Sequence, residues 1–526
     1  MNAAQKFVDA NVDAGRGASV AVIDIGAGRD LTYADVLRGV NRTGHALRRL
    51  GVRAEERVMI LLPDCAEFVF AFFGAIKIGA VAVPVNTLLT PADYEYLLTD
   101  SRARVLIVHE RFLDRIHAVA ASLRHLEHIL VVGSAPGDHP LPGDLIDGEQ
   151  DHLVAEDMHS DDAAFWLYSS GTTGFPKGAV HLQHDMQCCA ESFGQGILGI
   201  RPADRTFSVA KLFFAYGLGN ALYFPFSVGA STVLFPDKPE PLRVFDVVRR
   251  HRPTIFYAVP TAYAAMLAAM DSGAAYDFSS VRLCSSAGEP LAASLYERWL
   301  AHTGVELLDG IGSTEVLHTF IANRPGRVRP GSSGEVVPGY EARLVDAEGH
   351  EVPPGEIGDL LVKGESTCSC YWNKQEQTRK TIVGDWIRTG DKYSRDADGY
   401  FWYQGRSDDM MKAGGYWVSP AEVESAIVTH ADVLECAVVG CEDEARLTKP
   451  LAFVVLKQGR APSPDLAAAL QAHARRHLAP YKAPRWIRFV EELPKTATGK
   501  IQRYKLRASA SASAPESAPG SPHTLT

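Results

Sequence analysis

Residues 168–178 read Tyr-Ser-Ser-Gly-Thr-Thr-Gly-Phe-Pro-Lys-Gly and follow the apolar run Ala163-Ala164-Phe165-Trp166-Leu167. A buried strand feeding a glycine-, serine- and threonine-rich loop is how a chain wraps a polyphosphate with backbone N–H groups. Gly171, Gly174 and Gly178 let the backbone approach a ligand closely. Ser169, Ser170, Thr172 and Thr173 add hydroxyl donors, and Lys177 adds a cation. A surface linker is also rich in glycine and serine, but it does not place Pro-Lys behind so ordered a pattern. The loop departs from the pattern G-x-x-x-x-G-K-[ST]. Pro176 precedes the lysine and Gly178 follows it, so the magnesium-binding hydroxyl of that pattern is missing.

The rest of the chain suits such a loop. At 526 residues it can bury several cores, and at least two domains are expected. Arg57–Leu62, Ala80–Pro84, Val105–Val108 and Ile129–Val132 read as strands, and Cys65–Ile78 as a helix with its apolar face inward. Strands alternating with helices imply α/β layers with mainly parallel sheets. The longest apolar stretch, near Phe68–Val83, is broken by Lys77 and Gly79, so no membrane span is expected. Met1–Val12 holds no apolar signal core, and the eight cysteines form no C-x-x-C pair. A cytoplasmic protein with reduced thiols follows as an expectation. A net charge of −10 argues against a nucleic-acid binder.

After Gly399–Asp409 comes a compact α+β unit: helices over Ala421–His430 and Asp465–Leu478, and strands over Leu434–Val439, Leu451–Leu456 and Trp486–Val490. Residues 508–526 are rich in alanine, serine and proline and read as a disordered tail. The expected division is a large domain over 1–404, a hinge over 405–408, a small mobile domain over 409–507 and the tail.

The loop at 168–178 resembles the phosphate-binding signature of the acyl-adenylate-forming (AMP-binding) enzymes, and four further segments repeat that resemblance in the family's order. Leu308-Asp309-Gly310-Ile311-Gly312-Ser313-Thr314-Glu315 is similar to the segment that holds adenine and the metal. The resemblance assigns the α-phosphate contact to Thr314 and magnesium to Glu315, with Asp309, Gly310 and Ile311 along the nucleotide. A hard divalent cation with oxygen ligands offsets the charge on ATP. Arg388-Thr389-Gly390-Asp391 matches a turn whose aspartate takes both ribose hydroxyls, as a carboxylate accepting two O–H donors can. Gly405–Lys412 resembles the interdomain hinge, with Arg406 reaching ribose or phosphate and Asp408 as pivot. Ala413-Gly414-Gly415-Tyr416 matches the loop lining the coenzyme A tunnel. Pro494–Ile501 resembles the C-terminal signature, and its catalytic lysine falls on Lys500, an ammonium able to stabilise charge as a carboxylate attacks ATP.

Lys211–Asn220 stands where the family lines its acyl site. Phe214 occupies the place of a gating histidine, beside Ala215 and Tyr216. Ala287, Gly288, Ile311 and Gly312 supply small backbone elements, and His318 follows seven residues after Ile311. Small residues around a flat aromatic wall suit a planar ring better than a long chain. The resemblance is to the benzoate–CoA ligase branch and implies an aryl-CoA ligase using ATP, Mg²⁺ and coenzyme A on benzoate or a simple substituted benzoate, such as 2-aminobenzoate or a hydroxybenzoate. No carrier domain follows residue 507, which favours free coenzyme A over the alternative acceptor, a carrier protein. A non-catalytic nucleotide-binding protein is the rival of another class; Lys177, Glu315, Asp391 and Lys500 speak against it. The sequence leaves the oligomeric state open, a homodimer included.

Overall fold

A computed structural model describes residues 1–133, 150–169, 175–407, 409–413, 416–443, 448–479, 482–495 and 501–512. The chain folds into two compact units. The larger comprises Met1–Arg343, Leu361–Thr389 and Gly399–Phe401. The smaller comprises Leu344–Leu360, Gly390–Asp398 and Trp402–Thr526.

Two sheets build the larger unit. One has nine strands in the order Glu335–Val336, Thr319–Ala322, Leu307–Gly312, Leu283–Ser286, Ile255–Ala258, Arg205–Ser208, Ser231–Leu234, Val20–Asp24 and Arg29–Thr32. Its five central pairs are parallel, and the flanking pairs, two at one end and one at the other, are antiparallel. The other has seven: Cys370–Tyr371, Lys177–Leu182, Ala163–Ser169, Val81–Pro84, Arg57–Leu61, Val105–His109 and His128–Val132. The strands read from the sequence are therefore present, within a residue or two at their ends. Their apolar character is continuous because helices cover both faces of a parallel sheet: Val58 through Leu61 are all buried.

The helix Ala66–Lys77 is more deeply placed than its expected inward face suggested. Ten of its residues are buried, the last turn's Lys77 included. Lys77 interrupts the apolar run in sequence without leaving the core. Its Nζ donates to Asp9 Oδ1 and to Asn41 Oδ1, each at 2.6 Å. Burial pulls the Lys77 ammonium down and pushes the Asp9 carboxyl up, so each is held charged chiefly by the other.

In the smaller unit, Val433–Glu442 pairs antiparallel with Thr448–Leu456, which pairs parallel with Trp486–Phe489. The helices Pro420–Val428 and Pro464–His477 lie close to their expected bounds. Residues 508–512, expected in the tail, are helical. Arg503–Ala512 is a helix, and Leu506 and Ala510, four residues apart on one face, are buried with Val439, Leu451 and Phe453. Residues 513–526 lie outside the described residues. Among the described residues no helix is long and apolar enough to cross a membrane, and all eight cysteines are free thiols.

Removing one partner of a buried pair leaves an uncompensated charge. Asp9→Ala is expected to lower stability by about 3 kcal/mol in urea unfolding. The double variant Asp9→Ala/Lys77→Met should recover most of that loss.

Candidate active site

The strands Ala163–Ser169 and Lys177–Leu182, which flank the loop assigned to phosphate, pair antiparallel. Ser169 and Lys177 stand opposite each other at its base, with Tyr168 opposite Gly178. Ser170, Gly171, Thr172, Thr173 and Gly174 lie outside the described residues. The exit of the loop is clamped. The Phe175 ring stacks on Tyr96 with centroids 4.7 Å apart, and the Tyr96 hydroxyl donates to the Pro176 carbonyl at 2.9 Å.

The segment assigned to adenine, Leu308–Glu315, runs along the strand Leu307–Gly312 and past its carboxyl end. Asp309 is buried there, and burial pushes its carboxyl well above the usual carboxylate range. Gly312 is required by close approach, because a Cβ would stand 2.6 Å from the His318 carbonyl oxygen. Thr314–Val316 forms one 3₁₀ turn, capped by the Ser313 hydroxyl, which accepts from the Val316 N–H. Leu317 then adopts φ 68° and ψ −46°, and the His318 N–H donates to the Val316 carbonyl at 2.9 Å. This is a γ-turn of the rare positive-φ kind, strained for a side chain that branches, and such strain persists only where surrounding contacts over-determine it.

They do so here at three successive carbonyls. His181 Nε2 meets the Thr314 carbonyl oxygen at 2.7 Å. The Cys368 N–H donates to the Glu315 carbonyl at 2.7 Å, and the Ser366 hydroxyl to the Val316 carbonyl at 2.9 Å. His181 is itself fixed: Nδ1 lies 2.7 Å from Asp185 Oδ2, both side chains are fully buried, and the imidazole stacks on Phe165. Asp185 Oδ2 also accepts from the Leu182 N–H at 3.1 Å. Both ring nitrogens thus lie within hydrogen-bond distance of an oxygen. His181, Asp185 and Ser366 were not singled out from the sequence.

The Glu315 side chain is held by one oxygen. Oε1 accepts from the Tyr371 hydroxyl at 2.7 Å and from Ser169 Oγ at 3.1 Å. Oε2 takes no hydrogen bond from the described residues. Burial and the Glu315 charge push the Tyr371 phenol up, so it stays a donor. Among the described residues no group of three acidic, histidine or cysteine side chains converges to hold a metal. A single open carboxylate oxygen fits a magnesium that takes its other ligands from water and substrate phosphates.

The residues assigned to the aryl pocket also gather at strand ends. Ala287 and Gly288 follow Leu283–Ser286, Ile311 and Gly312 close the neighbouring parallel strand, and Phe214 and Ala215 open the helix Ala215–Leu218 beyond Arg205–Ser208. Ligands of open α/β sheets bind outside such carboxyl ends. The Tyr216 hydroxyl donates to Ser285 Oγ at 3.1 Å, and its ring lies 5.4 Å from His318. His318 is packed against Phe224 and Phe193, with Nε2 3.3 Å from the Tyr216 carbonyl oxygen. Burial pulls its pKa down to about 3, so the ring is neutral. The Cβ of any side chain at Gly219 would collide with this imidazole.

Arg388–Asp391 is not a free turn but part of the strand Trp386–Arg395, in which Gly390 takes φ 75°. A Cβ at Gly390 would stand 2.7 Å from Arg406 Nη2. Arg406 Nη1 donates to Asp391 Oδ1 at 3.0 Å, so the two assigned ribose residues are paired. Asp408 lies outside the described residues. Its neighbour Asp409 accepts from Arg507 at 2.6 Å, which ties it to the last helix. Gly414 and Gly415 also lie outside them, as does Lys500, on the segment between Lys495 and Ile501, which pair as an isolated bridge. Tyr416 opens the strand Tyr416–Val418.

The two strands at Ser169 and Lys177, the pinned turn with its open carboxylate, and the residues gathered at the ends of parallel strands all belong to the larger α/β unit. Residues 9–372 match the AMP-binding enzyme family, and residues 422–500 match the AMP-binding enzyme C-terminal domain. The chain belongs to this family. It is 50% identical over 508 residues to a benzoate–CoA ligase of Thauera aromatica, covering 96% of this chain and 95% of that one. It is 47% identical to a 4-hydroxybenzoate–CoA/benzoate–CoA ligase of Rhodopseudomonas palustris, covering 99% and 97%. Its fold matches the crystal structure of the anthranilate CoA ligase AuaEII in complex with anthranoyl-AMP at a TM-score of 0.92 and 49% identity, covering 97% of each chain.

Asp185→Asn keeps the shape of the buried pair and weakens the charged acceptor that fixes His181. Hydrogen bonds to charged groups contribute roughly 1.5–3 kcal/mol, so acyl-adenylate formation is expected to fall ~10-fold or more. The check is pyrophosphate release; unchanged kinetics would contradict the pinning role.

Proposed function

We propose that the chain is an ATP-dependent aryl-CoA ligase working in two half-reactions on benzoate or a simple substituted benzoate. In the first, a carboxylate oxygen of the acid attacks the α-phosphorus of ATP, the bond to the β-phosphate bridging oxygen breaks, and pyrophosphate leaves. In the second, the sulfur of coenzyme A attacks the acyl carbon, the bond to the AMP oxygen breaks, and AMP leaves as the thiol proton is lost.

Each residue has a task in this scheme. The loop from Ser169 to Lys177 cradles the phosphates, and Thr314 takes the α-phosphate. Magnesium, when bound, offsets phosphate charge, and Glu315 would hold it through Oε2. Asp391 and Arg406 take the ribose, with Asp309, Gly310 and Ile311 along adenine. Lys500 stabilises charge in the first step. It gives way to the coenzyme A loop at Gly414, Gly415 and Tyr416 when the small domain, residues 409–507, turns about Asp408 within the hinge at 405–408.

The observation that carries the aryl reading is the far wall of the acyl pocket. Tyr216 backs onto a neutral, buried His318, which in turn backs onto Phe224 and Phe193. Such a wall is aromatic and uncharged. A benzene ring fits against it, whereas a flexible chain meets it end-on. The relatives' named substrates agree with this reading.

Benzoate and 2-aminobenzoate are expected to exceed octanoate in kcat/KM by on the order of 10²-fold, about 3 kcal/mol. Tyr216→Ala should narrow the gap by opening the wall. The measurement is pyrophosphate release across a panel of acids, followed by thioester detection with coenzyme A and with a phosphopantetheinylated carrier protein. Preference for octanoate sinks the aryl pocket, and thioester on the carrier alone moves the acceptor away from coenzyme A.

A further inference from the structure

Lys177 and Glu315 carry opposite charges and, on the reading above, serve the same substrate: one takes phosphate, the other takes the metal. In a half-buried site the attraction between them is several times what it is in water. Paired with each other, they would be lost to ATP. Among the described residues neither makes a salt bridge; both meet Tyr371 instead. The Lys177 ammonium sits over its ring, 4.5 Å from the centroid, and its hydroxyl donates to Glu315 Oε1 at 2.7 Å.

The fold fixes Tyr371 for this. Cys370–Tyr371 is a two-residue edge strand paired antiparallel to Lys177–Leu182, with Tyr371 opposite Ala179. Side chains two residues apart in a strand share a face, so the Tyr371 ring reaches diagonally to Lys177. The Tyr371 N–H donates to Thr378 Oγ1 at 3.0 Å, which holds the edge strand to the helix that follows. Phenylalanine would offer the face without the donor, and serine the donor without the face; tyrosine alone among common residues supplies a cation-binding ring and an O–H together.

We propose that Tyr371 is a positioning residue that separates the Lys177 ammonium from the Glu315 carboxylate and presents the first to the phosphates and Glu315 Oε2 to the metal. The inference rests on the reading of Glu315 as the metal carboxylate. Its ring and hydroxyl do different things, so two variants take them apart. Tyr371→Phe keeps the separation and leaves Glu315 Oε1 with Ser169 Oγ as its remaining donor. Tyr371→Leu removes the separation as well.

The test is Mn²⁺ binding, followed by electron paramagnetic resonance in the presence of a non-hydrolysable ATP analogue, with melting temperatures recorded alongside. Tyr371→Phe is expected to weaken Mn²⁺ binding ~10-fold while leaving the analogue's own affinity within ~3-fold. Tyr371→Leu should weaken both by ~30-fold or more, as Lys177 closes on Glu315. Thioester formation from supplied aryl-AMP should stay within ~3-fold in both variants. Wild-type Mn²⁺ binding in Tyr371→Phe, or equal losses in the two variants, overturns the proposal. The isosteric Tyr371→Phe carries the test should Tyr371→Leu melt early. Glu315→Gln separates the two levels. Intact Mn²⁺ binding there removes the metal reading and the proposal with it. Lost binding there, with wild-type behaviour at both Tyr371 variants, removes the positioning role alone.

Discussion

The γ-turn at Leu317 is the constraint on which the rest of the site depends. A leucine at φ 68° is unfavourable by itself, of order 1–3 kcal/mol, and would relax to an extended or helical backbone if released. Relaxation would rotate Glu315 away from Ser169 and Tyr371 and carry His318 out of the wall behind Tyr216. The turn survives because each carbonyl from Thr314 to Val316 is bound by a different part of the larger unit: His181, the Cys368 N–H and the Ser366 hydroxyl. One strained residue therefore sets the Glu315 carboxylate on one side and the His318 ring on the other.

If Glu315 and His318 take the roles proposed, the same turn serves two unlike ligands. Glu315 stands at its start, where the phosphate loop's Ser169 reaches it. His318 stands at its end, among Tyr216, Phe224 and Phe193. The acid's carboxylate must lie between the two, near Thr314, if its oxygen is to reach the α-phosphorus. Holding both reactants on one rigid backbone segment is what converts a bimolecular attack into a positioned one.

Much of this was legible in the chain, for a physical reason. Parallel strands buried on both faces write themselves as apolar runs, and a loop that binds phosphate writes itself as glycine with hydroxyls. Both are local signals, so the strands from Arg57 to Val132 could be read directly, and the loop after Leu167 could be proposed from its residues. What escaped depends on distant partners. Lys77 reads as a break in an apolar stretch because its counter-charge, Asp9, is 68 residues away. Tyr371 reads as a lone aromatic because its strand is two residues long and exists only by pairing with Val180 and Ala179. Leu317 gives no sign of positive φ, since glycine or asparagine would be the usual signal. The tail was cut short because Leu506 and Ala510 find their burial on strands that a composition count does not see.

If the turn is built in advance of substrate, its amides are closed in the free enzyme. Hydrogen–deuterium exchange over residues 313–319, measured without ligand and again with Mg·ATP and benzoate, tests that directly. The account predicts slow exchange at the His318 amide in the free enzyme, comparable to the neighbouring strand Thr319–Ala322, with little change on binding. Rapid exchange in the free enzyme that becomes slow only with ligand would contradict it, and would make the turn a product of binding rather than its basis.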